Sequence, residues 1–148
     1  MEWRITDCGE EDCGRIGRGL VAYNLERVPM TQREPFIGIS RKITDGNGTL
    51  LAGCVAEVYC WNVACVDVLW VDGRYRGRGL GSALLAEVER AAGEEGCSLI
   101  HLDTFDFQAK EFYIKRGYEV FGTLEDCPDG HCRYYLKKKL RRRTTWST

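Results

Sequence analysis

The sequence lacks any long apolar run. No segment of its 148 residues approaches the ~20 apolar residues that a membrane-spanning helix needs. The opening segment Met1–Asp7 also lacks the basic start and the apolar stretch that together mark a secretory signal. We therefore expect a cytoplasmic protein with no membrane partner.

The sequence also lacks the Cys-x-x-Cys spacing that is typical of structural zinc sites. Its eight cysteines include two loose groups, Cys8 with Cys13 and Cys127 with Cys132 beside His131. A metal or redox protein is therefore one alternative, but we expect no metal and mostly free thiols. Four further cysteines lie in apolar runs and are expected in the core as small hydrophobic residues: Cys54, Cys60, Cys65 and Cys97.

Basic residues are scarce in most of the chain. Residues 1–132 contain 14 Lys and Arg against 22 Asp and Glu, whereas residues 133–148 contain 7 basic residues and no acidic ones. An acidic body attracts cationic substrates and repels nucleic acid. The basic end makes a nucleic-acid-binding module an alternative, but no recognition helix or stacking platform accompanies it. We expect no nucleic-acid partner.

The spacing of apolar residues predicts a mixed α/β sheet in a single domain, residues 1–140, followed by a mobile basic tail, residues 141–148. The predicted elements are a strand at Trp3–Thr6, a helix at Gly9–Arg27, strands at Pro35–Thr44, Leu50–Cys60 and Val63–Val71, a helix from Gly79, a strand at Ser98–Thr104, a helix at Gln108–Arg116, and strands at Tyr118–Leu124 and Arg133–Leu140. A turn at Asp45–Gly48 is expected to join two of these strands in a hairpin.

Glycine and arginine alternate where the strand at Val63–Val71 runs into the next helix. The segment reads Arg76-Gly77-Arg78-Gly79-Leu80-Gly81-Ser82. N–H groups at a helix start have no intrahelical acceptor, and glycine leaves them uncovered. The helix dipole and the two arginines add positive charge, which predicts an anion site; a solvated surface turn is the alternative. The Walker motif is absent, and the spacing of these glycines breaks the dinucleotide-binding pattern.

Two segments resemble the GNAT superfamily of acetyltransferases. Arg76-Gly77-Arg78-Gly79-Leu80-Gly81 matches its Gln/Arg-x-x-Gly-x-Gly/Ala signature. Ala109-Lys110-Glu111-Phe112-Tyr113-Ile114-Lys115-Arg116-Gly117-Tyr118 is similar to the family's Ala-x-x-Phe-Tyr-x-Lys-x-Gly-Phe/Tyr segment. The resemblance implies the GNAT acyl-CoA N-acyltransferase fold, with a mostly antiparallel central sheet flanked by helices.

The resemblance also implies acetyl-CoA as the acyl donor. Its pyrophosphate would bind the amides of the glycine turn, its pantetheine arm would pair with the preceding strand, and Tyr113 would lie near the thioester sulfur. Gln108 stands where the family often has an asparagine that contacts pantetheine. The implied cofactor-binding residues are Leu69, Trp70, Val71, Arg76, Gly77, Arg78, Gly79, Leu80, Gly81, Ser82 and Gln108.

Acyl transfer to an amine needs a neutral nucleophile. A lysine-like ammonium is neutral only about once in 10³–10⁴ at pH 7, a penalty of roughly 4–5 kcal/mol. Glu57 and Asp67 are the only carboxylates inside the two central strands, which makes them candidate bases. Whether they share a face depends on the strand register. The alternatives are structural roles for both carboxylates, a water relay, and a purely core role for Tyr113.

The expected activity is direct transfer of an acetyl group to a primary amine of a small cationic acceptor. A protein or peptide amine is the alternative acceptor. A homodimer is one arrangement compatible with the sequence.

Overall fold

A seven-stranded sheet forms the centre of residues 1–140, the part of the chain that the computed structural model describes. The tail predicted at 141–148 lies outside the described residues. The helices are α1 (Glu10–Arg27), α2 (Leu80–Glu94) and α3 (Lys110–Ile114), with a 3-10 turn at Gly73–Tyr75. The strands are β1 (Phe36–Gly38), β2 (Arg41–Thr44), β3 (Leu50–Tyr59), β4 (Val63–Val71), β5 (Leu99–Phe105), β6 (Glu119–Glu125) and β7 (Cys132–Lys139).

The sheet is mostly antiparallel. Its strand order is β1-β3-β4-β5-β7-β6, and β2 pairs with β3 on the same side as β1. Only β4 and β5 run parallel, because α2 carries the chain back across the sheet between them. The predicted mixed α/β fold with a mostly antiparallel sheet is confirmed. Within residues 1–140, no helix is long and apolar enough to cross a membrane.

The predicted first strand at Trp3–Thr6 is wrong. No secondary structure precedes α1, and the side chains of Trp3 and Ile5 are 75% and 89% exposed. A short strand is stable only when another strand pairs with it, and no strand pairs with this segment. The predicted helix that follows is confirmed as α1, although its Ile16 and Leu20 side chains are exposed.

The strand predicted at Pro35–Thr44 is interrupted, which divides it into β1 and β2. At the break the Ser40 hydroxyl accepts a hydrogen bond from the Ala56 N–H at 3.1 Å in place of a backbone carbonyl, while the Ala56 carbonyl still accepts from the Ile39 N–H at 3.0 Å. The predicted hairpin turn is confirmed: the Asp45 carboxylate accepts hydrogen bonds from the backbone N–H groups of Asn47 and Thr49 at 2.8 and 2.9 Å.

One face of the sheet, termed the covered face, packs against α2 to form the core. Every second residue of β3 is buried on this face, and the residues between them are exposed or half-buried. The buried β3 residues are Ala52, Cys54, Ala56 and Val58. The fully or nearly fully buried α2 residues opposite them are Leu84, Leu85, Val88, Ala91 and Ala92. The helical spacing of these apolar residues fixes the orientation of α2, and therefore the position of its N-terminus beside the end of β4.

The opposite face, termed the open face, carries polar side chains at the centre of the sheet: Glu57, Tyr59, Cys65, His101 and Asp103. The Tyr59 hydroxyl and the His101 Nε2 atom are 2.8 Å apart across β4. Burial lowers the pKa of His101, which keeps the ring neutral near pH 7.

A β-bulge interrupts β4 where it passes the middle of β3. Val55 pairs with Val68 and Ala56 pairs with Val66, so Asp67 is the extra residue on the bulged strand. A bulge redirects side chains and increases the local twist. It therefore separates the first half of β4, which pairs with β5, from the second half, which does not.

We predict that the fold loses stability in alkaline solution. Burial raises the pKa of Cys54 and of Cys97 to about 11, from an ordinary 9.0. Between these values the unfolded chain loses thiol protons that the folded chain retains, so the free energy of unfolding falls as pH rises. The expected fall is on the order of 2 kcal/mol per thiol between about pH 8 and 10.5, measured by urea denaturation. In Cys97→Ala the free energy of unfolding should fall by less over this pH range, because one of the two thiols is removed. An equal fall in the variant and the wild type would contradict the prediction.

Candidate active site

The strands β4 and β5 separate partway along their length. Their last pair is Val66 with Leu102, whereas β4 continues to pair with β3 as far as Val71. The side of β4 that faces β5 therefore has no strand partner over Leu69–Val71. This gap, with one free strand edge, can accept an extended ligand whose amide groups complete the ladder.

The glycine turn presents a set of unpaired backbone donors at the end of this gap. Gly77 and Gly79 have φ values of 74° and 80°, the left-handed region that favours glycine. The first hydrogen bond of α2 runs from the Ala83 N–H to the Gly79 carbonyl at 3.0 Å. Within residues 1–140, the N–H groups of Gly79–Ser82 have no acceptor. The predicted anion site therefore has the necessary donors.

Two arginines of the turn have different environments. The Arg76 Nε atom lies 3.4 Å from the Val71 carbonyl oxygen, and this side chain lines the cleft described below. The Arg78 guanidinium lies 5.3 Å from the centroid of the Tyr75 ring and is not part of the cleft lining. Arg76 is therefore the better placed of the two to contact a ligand in the cleft.

Arg116 is a third cation near the turn. Its Nε donates to the Ser82 hydroxyl at 3.1 Å, and its guanidinium lies 3.6 Å from the centroid of the Phe112 ring. The same ring packs against the start of α2 at Gly81, where an added Cβ would be in ordinary van der Waals contact with it, 3.5 Å from Phe112 Cζ. These contacts of Phe112 and Ser82 bring Arg116 to the glycine turn.

A cleft of about 710 Å³ connects the strand gap with the glycine turn. It is lined by Leu69, Trp70, Val71, Tyr75, Arg76, Gly77, Gly79, Leu80, Gly81, Ser82, Phe107, Gln108, Ala109, Phe112, Tyr113 and Arg116. The cleft therefore brings together all of the predicted cofactor-binding residues except Arg78, and it also includes Tyr113. The predicted bases, Glu57 and Asp67, do not line it.

The Gln108 carboxamide stabilises the turn between β5 and α3. Its Oε1 atom accepts a hydrogen bond from the Phe105 N–H at 2.7 Å and lies 3.3 Å from the Thr104 hydroxyl. Its Nε2 group has no hydrogen-bond partner within the part of the chain that the structure describes. Gln108 can therefore donate to a ligand in the cleft while its oxygen holds the turn.

Tyr113 is a largely buried tyrosine that lines the cleft. Its ring packs edge-to-face against Phe112 and Tyr118, with centroids 5.2 and 5.6 Å apart. Burial, with smaller contributions from Cys54 and Asp103, raises the pKa of Tyr113 to about 12. No other residue of 1–140 forms a hydrogen bond with its hydroxyl. The hydroxyl therefore stays protonated near pH 7 and is free to donate to a ligand.

The two predicted bases share the open face, and Asp67 lies at the start of the gap. Glu57 pairs across the ladder with Cys65, whose thiol lies 3.8 Å from the Asp67 carboxylate. Neither carboxylate forms an ion pair with another residue of 1–140. The pKa of Cys65 is raised to about 11, mainly by burial and then by the charge of Asp67. This thiol therefore stays protonated. The register thus places both carboxylates on one face, outside the cleft lining.

Asp103, Phe107 and Arg116 are site residues that the sequence reasoning missed. Asp103 follows the point at which β5 leaves β4, and its carboxylate accepts hydrogen bonds from Arg133 Nε and Nη2 at 2.9 and 2.8 Å. Arg116 lies inside the second family-like segment and could have been noticed as a cation next to Tyr113. Phe107 lies in a turn, where no periodicity indicates which way a side chain points.

Within residues 1–140, no group of three or more His, Cys, Asp or Glu residues could hold a metal ion. All eight cysteines are free thiols. Cys54, Cys60 and Cys97 are buried as expected, and Cys65 is half-buried.

The chain is similar to known acetyltransferases in both sequence and structure. The model of the acetyltransferase (GNAT) domain matches residues 42–120. The blasticidin-S acetyltransferase of Streptomyces morookaense is 38% identical over 117 residues, which are 78% of this chain and 85% of that protein. The crystal structure of an acetyltransferase from Bacillus cereus ATCC 14579 is 35% identical, with a TM-score of 0.84 over 93% of this chain and 98% of that one.

The crystal structure of a Bacillus anthracis protein described as a streptothricin acetyltransferase, in complex with acetyl coenzyme A, shares the fold. Its TM-score is 0.63 at 22% identity, over 74% of this chain and 65% of that one. Because the family model covers more than half of the 148 residues, the chain belongs to the GNAT superfamily and is an acetyltransferase that uses acetyl-CoA as its acyl donor.

Proposed function

We propose that this enzyme transfers the acetyl group of acetyl-CoA directly to a primary amine of a small cationic acceptor. The observation that carries the proposal is the pair of carboxylates on the open face, Glu57 and Asp67, which have no cationic partner in residues 1–140. Asp67 directly follows the last residue of β4 that pairs with β5, and Glu57 lies opposite Cys65 on the neighbouring strand. Unpaired carboxylates beside the acyl site attract an ammonium group and can take up its proton.

The residues of the cleft fit coenzyme A. The unpaired N–H groups of Gly79–Ser82 suit a diphosphate, because the helix dipole and Arg76 add positive charge there. The free β4 edge at Leu69–Val71 suits the amide groups of the pantetheine arm, and the Gln108 Nε2 group supplies a further donor. When bound, acetyl-CoA supplies the activated acyl group, and the proposed acceptor enters from the open face, where the unpaired carboxylates lie.

Tyr113 is proposed to donate a hydrogen bond to the sulfur as the thiolate leaves. With a pKa of about 12, its hydroxyl is a weaker acid than a thiol of pKa ≈ 8.5 by roughly 3.5 units, or ~5 kcal/mol. Complete proton transfer to the sulfur is therefore unfavourable, whereas a hydrogen bond to the developing negative charge is favourable. In this role Tyr113 stabilises the leaving group rather than protonating it.

The two carboxylates are proposed to prepare the acceptor. An exposed carboxylate such as that of Asp67 can accept the ammonium proton directly or through one water molecule. Asp103 lies nearby but is held by Arg133, so its charge is already compensated. Glu57 and Asp67 are therefore better placed than Asp103 to act as the base or to bind a cationic group.

The small size of the acceptor is supported by one relative. The Streptomyces morookaense protein is named for acetylation of blasticidin S, a small molecule, and shares 38% identity with this chain. The acidic body of residues 1–132 supports a cationic acceptor, because its net charge steers such molecules toward the protein.

Replacing Gly79 with tryptophan should abolish coenzyme A binding. The added ring would fill the cleft beside the unpaired N–H groups, and we expect calorimetry to detect at least a ~100-fold weaker affinity for acetyl-CoA. Gly48→Trp is the matched control, because the φ of Gly48 is 81° against 80° at Gly79, and an added Cβ would meet open space at both positions. Gly48 differs in its location, since it lies in the β2–β3 hairpin. Equal affinities in the two variants would contradict the location of the diphosphate.

Tyr113→Phe should lower kcat by up to ~10²-fold while leaving acetyl-CoA affinity within about twofold. Because the hydroxyl stays protonated below about pH 12, the ratio of wild-type to variant rates should be constant between about pH 6 and 9. Tyr118→Phe is the control, since the Tyr118 hydroxyl is buried, has no hydrogen-bond partner and lies outside the cleft. A ratio that changes tenfold per pH unit would show that the Tyr113 hydroxyl ionises in this range, which would contradict its assignment as a protonated donor.

At least one of Asp67→Asn and Glu57→Gln should lower kcat/KM by ~10-fold or more near pH 7, with a smaller loss at pH 9 where more of the amine is already neutral. Steady-state thiol release at several pH values measures this effect. Glu119→Gln is the control, because this β6 carboxylate pairs with Lys137 away from the gap. If both site variants behave like the control, neither carboxylate is the base.

A further inference from the structure

Phe107 presents an exposed aromatic ring at the cleft. It lies in the turn between β5 and α3, its side chain is 58% exposed, and it lines the cleft together with Tyr113. One face of its ring lies against Phe105, with the two rings nearly parallel at 3° and their centroids 5.2 Å apart. The two phenylalanines therefore form a stack that already has the geometry of an offset aromatic pair.

Neighbouring polar residues hold this stack in place. The His131 ring meets Phe107 edge-to-face with centroids 5.2 Å apart, and its Nδ1 atom lies 2.9 Å from the Asp106 carboxylate. The other oxygen of Asp106 accepts a hydrogen bond from the Cys132 N–H at 2.9 Å. Because these contacts come from two different turns, the Phe107 ring is positioned before any ligand binds, which lowers the entropic cost of stacking.

The stack lies on the acceptor side of the gap. Phe105 follows Asp103 by two residues on β5, so both side chains project from the open face, which also carries Glu57. Arg133 links them, because its guanidinium binds Asp103 and lies 5.3 Å from the centroid of the Phe105 ring. Phe105, the inner ring of the stack, therefore shares the open face with the carboxylates of Asp103 and Glu57.

We propose that Phe107 is a specificity-determining residue that stacks on a planar ring of the acceptor, so that the preferred substrates are amines attached to an aromatic or heteroaromatic ring. This inference rests on the proposed function, because it assumes that the acceptor enters from the open face. A planar ring gains contact area and favourable stacking on Phe107, whereas a puckered saturated ring of similar size cannot lie flat against it. The carboxylates bind the ammonium group, and the stack selects the ring.

The test compares two diamines that carry the same charges: 1,4-bis(aminomethyl)benzene, which is planar, and 1,4-bis(aminomethyl)cyclohexane, which is not. Calorimetry measures the Kd of each diamine for the protein saturated with coenzyme A, and steady-state assays measure kcat/KM for each and KM for acetyl-CoA. We expect the planar diamine to bind at least ~5-fold more tightly to the wild-type enzyme.

Three variants assign this preference to Phe107. Phe107→Leu should reduce the ratio of the two Kd values to below ~2, whereas Phe107→Tyr should retain it, because tyrosine keeps the aromatic face. Phe121→Leu is the matched control, since Phe121 is almost equally exposed at 56% but lies on β6 outside the cleft. KM for acetyl-CoA should be unchanged in all three variants.

Each outcome is decisive. Equal Kd values for the two diamines in the wild-type enzyme would overturn the inference, as would a ratio that survives Phe107→Leu. A raised KM for acetyl-CoA with an unchanged diamine ratio would show that Phe107 contacts the pantetheine arm instead, and this would also overturn it. Binding that prefers the planar diamine without turnover of either diamine would support the stacking site and refute acetylation of small amines, so the two proposals can fail separately.

Discussion

The separation of β4 from β5 is the constraint on which the site depends. Two parallel strands that stayed paired beyond Val66 and Leu102 would leave neither a free strand edge nor a cleft. The bulge at Asp67 coincides with this separation, because it turns the second half of β4 away from β5 while pairing with β3 continues. The glycine turn and Tyr113 line the cleft at the resulting gap, and Asp67 lies at its start.

The gap has opposite electrostatic character at its two sides. The glycine turn offers unpaired N–H groups, the positive end of the α2 dipole and the guanidinium of Arg76, all of which favour an anion. The open face offers the carboxylates of Glu57 and Asp67, which favour a cation. An anionic donor and a cationic acceptor would therefore bind from different directions and meet at Tyr113, where burial keeps the hydroxyl protonated.

Local features of the fold could be predicted from the sequence, whereas features that depend on distant partners could not. The helix that begins at Leu80 and the strand at Val63–Val71 follow from periodicity and from glycines that require positive φ. No strand forms at Trp3–Thr6, because no other strand pairs with this segment. The sequence alone does not show whether a segment has such a neighbour. The bulge at Asp67 was unpredictable for the same reason, since register is set between strands. The orientation of Phe107 depends on its contacts with Phe105 and His131, which the chain brings together only on folding.

We infer that main-chain donors at the start of α2 hold the diphosphate of acetyl-CoA. The perturbation of ¹H–¹⁵N chemical shifts on addition of coenzyme A to the labelled protein tests this placement. We expect the amide protons of Gly77, Gly79 and Gly81 to show the largest downfield shifts, because a charged oxygen becomes their acceptor. Saturating coenzyme A that leaves these amides unchanged and shifts residues of the open face instead would contradict it.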